Sequence, residues 1–176
     1  MMDADIYEAG PETEEADAAA STYLTLDLGG QMLGIDVRHV REILDVREIT
    51  RLPNAPGDVL GVVDLRGTSV PILDIRARLG MPGEASGAEA RIVVLELGAA
   101  GRTYPLGILA DRVRNVEQIG PEQIEPVPSR GLGGWDAGAL RGLYRRDADL
   151  VVLIDLDRLL GETAAEIDLT QGFGLF

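Results

Sequence analysis

Carboxylates are the side chains of this sequence with the clearest potential for chemistry. Asp64 lies in a segment with the pattern of a strand, and Asp74, Asp155 and Asp157 lie at the starts of two short helical segments. Two carboxylates that face one pocket could act as the general acid and base of a hydrolase. An aspartate just before a helix also caps its free N–H groups. Because Asp74 and Asp155 occupy equivalent positions at two helix starts, capping explains both without catalysis.

Most other reactive groups are missing from the chain. Its 176 residues include no Cys, one His and 16 basic residues, all of them Arg. Without Cys there is no thiol nucleophile, disulfide or thiolate zinc site, and without Lys there is neither a Walker A loop nor a Schiff-base lysine. A solitary His39 cannot build a His-rich metal centre, and Ser69 is not part of a G-x-S-x-G elbow. The composition therefore argues against the usual nucleotidases, aldol-type enzymes, receiver domains and serine hydrolases, and against thiolate or His-rich metal centres.

The chain is strongly acidic, and its charge is unevenly distributed. The net charge of −14 argues against binding to nucleic acid or to anionic membranes, since both attract clustered positive charge. Residues 1–20 hold seven acids and no base, half of the imbalance, and predict a disordered acidic leader. This leader lacks the apolar stretch of a signal peptide, and nowhere do 18 apolar residues run together. We expect a cytoplasmic protein without direct insertion into a membrane.

Alternating apolar residues predict the elements that position these side chains. Hairpins with glycine in their turns are expected over residues 23–35, 62–73 and 91–108. Helix is confined to short segments, of which Asp74–Leu79 and Asp155–Leu160 each begin with a capping Asp. Many short strands at this spacing are typical of small barrels, so the class is mainly β with few short helices.

An imperfect internal repeat runs through the same elements. Three motifs recur in the same order, at spacings of 69, 73 and 81 residues: Leu26–Gly29 with Leu95–Gly98, Leu33–Ile35 with Leu106–Ile108, and Leu73–Ile75 with Ile154–Leu156. The repeat predicts two similar subdomains, residues 21–87 and 88–160, followed by a C-terminal tail, residues 161–176. A groove between two such subdomains is a common place for a ligand or a partner to bind.

One long motif resembles a known family. The segment Arg51–Arg76, which reads RLPNAPGDVLGVVDLRGTSVPILDIR, is similar to the signature of the CheW family. Three further pieces fit that family in the expected order: Gly34–Ile43, Leu106–Val113 and Leu153–Leu160. The resemblance covers residues 21–162. One departure is Asp64, where the family usually has Asn, so any hydrogen bond that the amide would donate is lost.

The resemblance implies both a fold and a function. The fold would be a pair of small five-stranded SH3-like β-barrel subdomains related by internal duplication. Members of the family are non-enzymatic adaptors that couple chemoreceptors to the histidine kinase CheA, so neither catalysis nor a cofactor is expected. The implied partners are the regulatory domain of CheA and the cytoplasmic tip of methyl-accepting chemoreceptors, in arrays beneath the inner membrane.

Two alternative functions stay open at this point. The chain could be a CheW-like adaptor of a pathway other than chemotaxis, such as surface motility or gene regulation. The other alternative is a carboxylate-dependent hydrolase, which would need two acids with perturbed pKa values facing one closed pocket.

The resemblance also points to individual binding residues. It places six residues at a receptor-binding groove: Val40, Glu42, Gly61, Arg66, Val113 and Val116. Glu42 and Arg66 are expected to pair, since an arginine fork can hold a carboxylate and still offer donors to a partner. The alternative is an ordinary surface ion pair, and the valines are equally compatible with a place in the core. For the kinase, Leu44 and Val46 are the expected apolar anchors.

Overall fold

The computed structural model describes residues 20–81, 83, 87–99, 101–128 and 137–167. Residues 1–19 of the predicted leader and residues 168–176 of the predicted tail lie outside this part of the chain. Neither α-helix in the described part has the length and apolar character needed to cross a membrane.

Strands dominate the described residues. They are β1 (Ser21–Leu28), β2 (Gln31–Asp36), β3 (Val40–Asp45), β4 (Val59–Leu65), β5 (Thr68–Leu73), β6 (Arg91–Ala99), β7 (Arg102–Ala110), β8 (Arg112–Ile119), β9 (Ile124–Glu125), β10 (Leu140–Arg146) and β11 (Asp149–Ile154). The α-helices are α1 (Ile75–Arg78) and α2 (Leu156–Glu166), and short 3₁₀ turns lie at Val37–His39, Pro121–Gln123 and Ala137–Ala139. The mainly β class and the three predicted hairpins are confirmed. The second helix continues to Glu166, so the expected tail from residue 161 begins inside it.

The strands form two sheets, one from β3–β7 and the other from β1, β2 and β8–β11. The order in the six-stranded sheet is β8-β1-β2-β11-β10-β9, and in the five-stranded sheet it is β3-β6-β7-β5-β4. The β1–β2 hairpin therefore pairs with strands of the C-terminal half, and the β6–β7 hairpin pairs with strands of the N-terminal half. The predicted boundary between residues 87 and 88 falls between β5 and β6, and strands from both sides of it pair within each sheet.

The internal repeat is visible in the order of the elements and in their pairing between the halves. Each half supplies a first hairpin, a single strand, a second hairpin and a helix: β1–β2, β3, β4–β5 and α1, then β6–β7, β8, β10–β11 and α2. In each sheet, the single strand and the second hairpin of one half flank the first hairpin of the other half. The second hairpin joins through a parallel pair, β2 with β11 and β7 with β5. The two halves are therefore equivalent in topology.

Three apolar clusters build the core. The largest contains residues from both sheets and from α2, among them Leu26 and Leu95, which are fully buried. Each sheet also has a smaller cluster of its own, which includes Ile72 in the five-stranded sheet and Tyr23 in the six-stranded sheet. Each sheet thus has a small apolar cluster of its own, as each of two small barrels would. Backbone pairing among the described residues nevertheless leaves both sheets open.

At one edge of each sheet, a short segment of backbone approaches the edge strand closely at a glycine. In the five-stranded sheet, Thr50 exchanges two hydrogen bonds of 2.8 Å with Val62 of β4. Gly61 has a φ of +150°, and a Cβ at this position would overlap the Thr50 carbonyl. In the six-stranded sheet, a Cβ on Gly142 would lie 2.8 Å from the carbonyl oxygen of Glu125 on β9. Both glycines therefore let an edge segment approach the neighbouring strand.

A buried arginine ties α1 to turns elsewhere in the fold. Arg76 is 2% exposed; its Nη2 contacts the Asp111 carboxylate and its Nη1 lies 3.6 Å from Asp74. The second carboxylate oxygen of Asp111 accepts a hydrogen bond of 2.8 Å from the backbone N–H of Gly29. Asp111 therefore links α1 to the β1–β2 turn. The Nε and Nη1 atoms of Arg76 make no hydrogen bond with the described residues.

Candidate protein-binding groove

Edge strands of the two sheets border one groove. β3 is an edge of the five-stranded sheet, and β8 is an edge of the six-stranded sheet. A pocket of about 170 Å³ is lined from both sides by Ile43, Glu89, Arg91, Arg112 and Val113. Ile43 is 42% exposed and Val116 is 62% exposed. Apolar surface on both edges is therefore open to a partner.

Glu42 and Arg66 form an ion pair at the same strand, on the face of β3 opposite to Ile43. Glu42 is 24% exposed, and Arg66, in the β4–β5 turn, is 69% exposed. Nη2 of Arg66 contacts one carboxylate oxygen of Glu42, and Nη1 lies 3.4 Å from the other. The hydrogen bond from Arg66 lowers the pKa of Glu42 below its ordinary value, which outweighs the opposite effect of partial burial. The pair lines a second pocket, of about 240 Å³, with Arg41, Leu65, Thr68, Val70, Val94 and Pro105.

The backbone at Arg66 is unusual for an arginine. Arg66 and Gly67 form a two-residue turn between Leu65 and Thr68, and their φ angles are +51° and +85°. Positive φ at both positions is the pattern of a type I′ turn, which Asn-Gly fits best. The turn therefore does not require an arginine. The reason for its presence lies in its side chain, which reaches Glu42 and keeps further N–H donors for other groups.

The other predicted groove residues lie at different depths. Val40 and Val113 are half-buried and pack against the large core cluster, although Val113 also lines the smaller pocket. Gly61 is buried below Thr50. Val113 thus lines the groove, Val116 is exposed farther along β8, and Gly61 meets a backbone requirement.

Ile43 is a groove residue that the sequence did not single out. Burial alternates along β3, so Ile43 faces outward and Leu44 is half-buried against the small core cluster of its sheet. Leu44 is thus less open than Val46, which is 47% exposed, and both stay predictions as anchors for the kinase. The signal that could have found Ile43 is strict alternation along the strand from the charged Glu42.

The carboxylates considered for acid–base chemistry either cap helices or are exposed to solvent. Asp74 accepts a hydrogen bond of 3.0 Å, and Asp155 one of 3.2 Å, from a backbone N–H in the first turn of α1 and α2, which confirms both predicted caps. Asp157 lies 3.5 Å from His39, and Asp64 is exposed on β4. Among the described residues, no group of three His, Asp or Glu could hold a metal ion. Nothing in these contacts supports a hydrolase.

Comparison with known proteins agrees with this architecture. The CheW-like domain family matches residues 22–164. The chain is 32% identical over 147 residues to the chemotaxis protein CheW of Klebsiella aerogenes, covering 83% of this chain and 86% of that protein. It is also 32% identical over 137 residues to the protein FrzA of Myxococcus xanthus, covering 76% and 81%.

A solved structure shares the fold. The crystal structure of the scaffolding protein TtCheW from Thermoanaerobacter tengcongensis is similar with a TM-score of 0.69 and 26% identity, covering 80% of this chain and 87% of that chain. Its likeness extends over nearly the same share of the chain as the family match. With the repeat, the groove and these relatives in agreement, the chain belongs to the CheW-like family.

Proposed function

We propose that this chain is a non-enzymatic adaptor that couples chemoreceptors to the histidine kinase CheA, in cytoplasmic arrays beneath the inner membrane. The observation that carries the proposal is the groove between β3 and β8, where Ile43 is exposed on one edge strand and Val116 on the other. The Glu42–Arg66 ion pair lies on the other face of β3. The 32% sequence identity to the CheW protein of Klebsiella aerogenes supports the proposal.

The groove suits a helix from the cytoplasmic tip of a receptor. An amphipathic helix would place apolar residues against Ile43 and Val116, in the manner of other helix-in-groove complexes. Arg66 would hold Glu42 with two nitrogens and direct its remaining donors at polar groups of the helix. Because the Arg66 side chain stays largely exposed, the pair would set the orientation and choice of partner more than the strength of binding.

The regulatory domain of the kinase would bind beyond the end of β3. Val46 is exposed there, immediately after the strand. Leu44 would support this surface from within, through its packing against the small core cluster. One edge of the five-stranded sheet would then contact both partners.

A second candidate is an equivalent adaptor for a pathway other than chemotaxis. The protein FrzA matches this chain at the same identity as the CheW protein of Klebsiella aerogenes. The family is therefore not confined to proteins named for chemotaxis. The groove would serve either pathway, with a different receptor and kinase.

Reconstitution tests the proposal. The full chain is mixed with receptor tips and kinase from the same organism, and kinase activity and co-sedimentation are measured. Arg66→Glu should weaken receptor coupling by about tenfold or more, because reversal places two carboxylates together and removes the donors to the helix. Arg145→Glu is the matched control, since Arg145 is 67% exposed and pairs with a carboxylate on β9, at the opposite edge of the six-stranded sheet from β8.

Thermal melts of both variants verify that each is folded. The proposal fails if the unmodified chain neither joins the assembly nor changes kinase activity. A folded Arg66→Glu variant that co-sediments as well as the control would remove Arg66 from the receptor site.

A further inference from the structure

Equivalent strands of the two halves form the walls of the groove. The pairing of β3 with β6 has one irregularity, just after Val40, and the pairing of β8 with β1 has one just after Val113. Ile43 and Val116, both exposed, follow these irregularities at the same distance along the chain. They therefore occupy equivalent positions, and the two walls are copies of one strand.

The two walls run in opposite directions. One pocket brings Ile43, near the end of β3, together with Arg112 and Val113 at the start of β8. At the other end of the groove, the turn Val37–His39 that precedes β3 packs against β1, and the start of β1 pairs with the end of β8. A groove with equivalent walls that run in opposite directions has nearly the same backbone at its two ends. An amphipathic helix could therefore lie in it in either of two opposite directions.

Charged side chains distinguish one end of the groove from the other. Beside the pocket, Arg91 lies 3.3 Å from Asp45, and Arg112 lies 3.7 Å from Glu89. This end is here named the charged end. The internal repeat gives these four residues the following counterparts at the other end: Thr22 for Arg91, Gln118 for Asp45, His39 for Arg112 and Ala20 for Glu89. None of the counterparts is an arginine or a carboxylate, so the repeated fold does not require the two ion pairs.

Covering the two ends with a partner has different energetic costs. At the charged end, a charged turn of a helix could exchange partners with the ion pairs, since Arg91 is 36% exposed and Arg112 is 49% exposed. At the other end, the same turn would cover Val116, which is 62% exposed. A charge buried against an apolar side chain is costly, whereas an apolar turn at the same place is favourable. One direction of the helix is therefore penalised and the other is not.

We propose that the charged end sets the direction in which a receptor helix lies in the groove, with a charged turn of the helix over Arg91 and Arg112 and an apolar turn over Val116. The proposal rests on the receptor coupling proposed above. The backbone and the apolar residues of the groove serve both directions, so they contribute affinity. The four charged residues contribute the difference between the directions. An adaptor that holds two partners in a fixed relation needs one direction only.

A symmetrised variant tests the inference. Asp45→Gln/Glu89→Ala/Arg91→Thr/Arg112→His gives both ends of the groove the same four residues, and it keeps the formal net charge because two acids and two arginines are removed. The control, Glu125→Gln/Arg145→Gln, removes one exposed ion pair on β9 and β10, neither of which lines the pocket. Thermal melts verify that both variants are folded.

Disulfide crosslinking measures the direction. The chain has no Cys, so Ala88→Cys places a single thiol at an exposed position beside the charged end. This change is combined with the unmodified, the symmetrised and the control groove. Each protein is mixed with receptor tips from the same organism that carry one cysteine each, placed in turn along the helix. The assay is run at pH 8, where histidine is ordinarily neutral, because His39 lies 3.5 Å from Asp157.

The expected result is a change in the number of crosslinked regions. The unmodified and control grooves should crosslink to one cluster of receptor positions. The symmetrised groove should crosslink to two clusters in roughly equal yield, because two states of equal energy are equally populated.

Each outcome separates the direction of the helix from the coupling function. A single cluster from the symmetrised groove, at the positions found with the unmodified groove, overturns the inference and leaves receptor coupling standing. Two clusters from the unmodified groove also overturn it, because the charges then set no direction. So does a symmetrised groove that no longer crosslinks, because the charges then supply the affinity itself. If the unmodified groove crosslinks nowhere, the inference is overturned, and co-sedimentation with receptor tips decides whether the coupling function falls with it.

Discussion

Replacing Asp111 by Asn should destabilise the fold strongly, because it leaves a buried charge with little compensation. Arg76 is 2% exposed, and its guanidinium contacts the Asp111 carboxylate directly, whereas Asp74 lies 3.6 Å away. Asp111→Asn keeps the shape of the side chain and removes its charge. The new amide also brings an N–H₂ group between two donors, the Gly29 N–H and the Arg76 guanidinium, so it can accept well from only one of them.

The expected cost follows from these contacts. Removing one member of a buried ion pair typically costs about 3–5 kcal/mol. The Asp111 side chain is 27% exposed and Asp74 remains nearby, so we expect the lower end, about 3 kcal/mol. For a domain of this size, such a loss corresponds to a fall in Tm of roughly 6–12 °C. Urea unfolding followed by circular dichroism measures the free energy, and a thermal melt measures the Tm.

A second variant separates lost charge compensation from lost packing. Arg76→Met combined with Asp111→Asn removes both charges, and apolar replacement of a buried pair is often nearly neutral. The double variant should therefore recover most of the stability lost by Asp111→Asn alone. The reasoning is refuted if Asp111→Asn costs less than about 1 kcal/mol, the value of an exposed pair, or if the double variant is no more stable than the single one.

Three further changes probe other parts of the fold. Gly142→Ala should lower the free energy of unfolding by about 1–3 kcal/mol in urea, because its Cβ would press on the Glu125 carbonyl; an unchanged midpoint would contradict this close approach. Asp147→Gly should raise the Tm by about 2 °C, because Asp147 has a φ of +54° that glycine adopts without strain; a lower Tm would count against it. Burial alone would raise the pKa of Asp36, but the hydrogen bonds from Arg38 and nearby positive charge lower it below the ordinary value of 3.8. The contribution of Asp36 to stability is thus present above that value and is lost as pH falls through the folded-state pKa. Asp36→Asn should therefore lose less Tm on acidification than the unmodified chain does. An equal loss of Tm in the two proteins would refute this.

Local signals in the sequence predicted the elements well. The glycine turns marked the hairpins, and Asp74 and Asp155 marked the helix starts, because turn geometry and capping depend on residues close together in the chain. The sharing of strands between the sheets could not be predicted in this way. A repeat shows that two segments are equivalent, but it does not show which sheet each hairpin joins.

The candidate site was predicted less completely. The pairing of Glu42 with Arg66 followed from the family resemblance, and the structure brings the two together. Ile43 and Leu44 are adjacent apolar residues, so composition could not show which one faces outward.

The exchange of hairpins has a consequence for how this molecule came to be one chain. A single half lacks the central hairpin of its own sheet and can complete that sheet only by borrowing the hairpin of a second copy. Two identical halves would therefore assemble as a reciprocally swapped dimer. Fusion of the halves converts that dimer into one polypeptide with distant backbone pairings, such as Leu24 with Val116 and Met32 with Val151. A load applied at one sheet edge then reaches the other sheet through covalent backbone as well as through the shared apolar core.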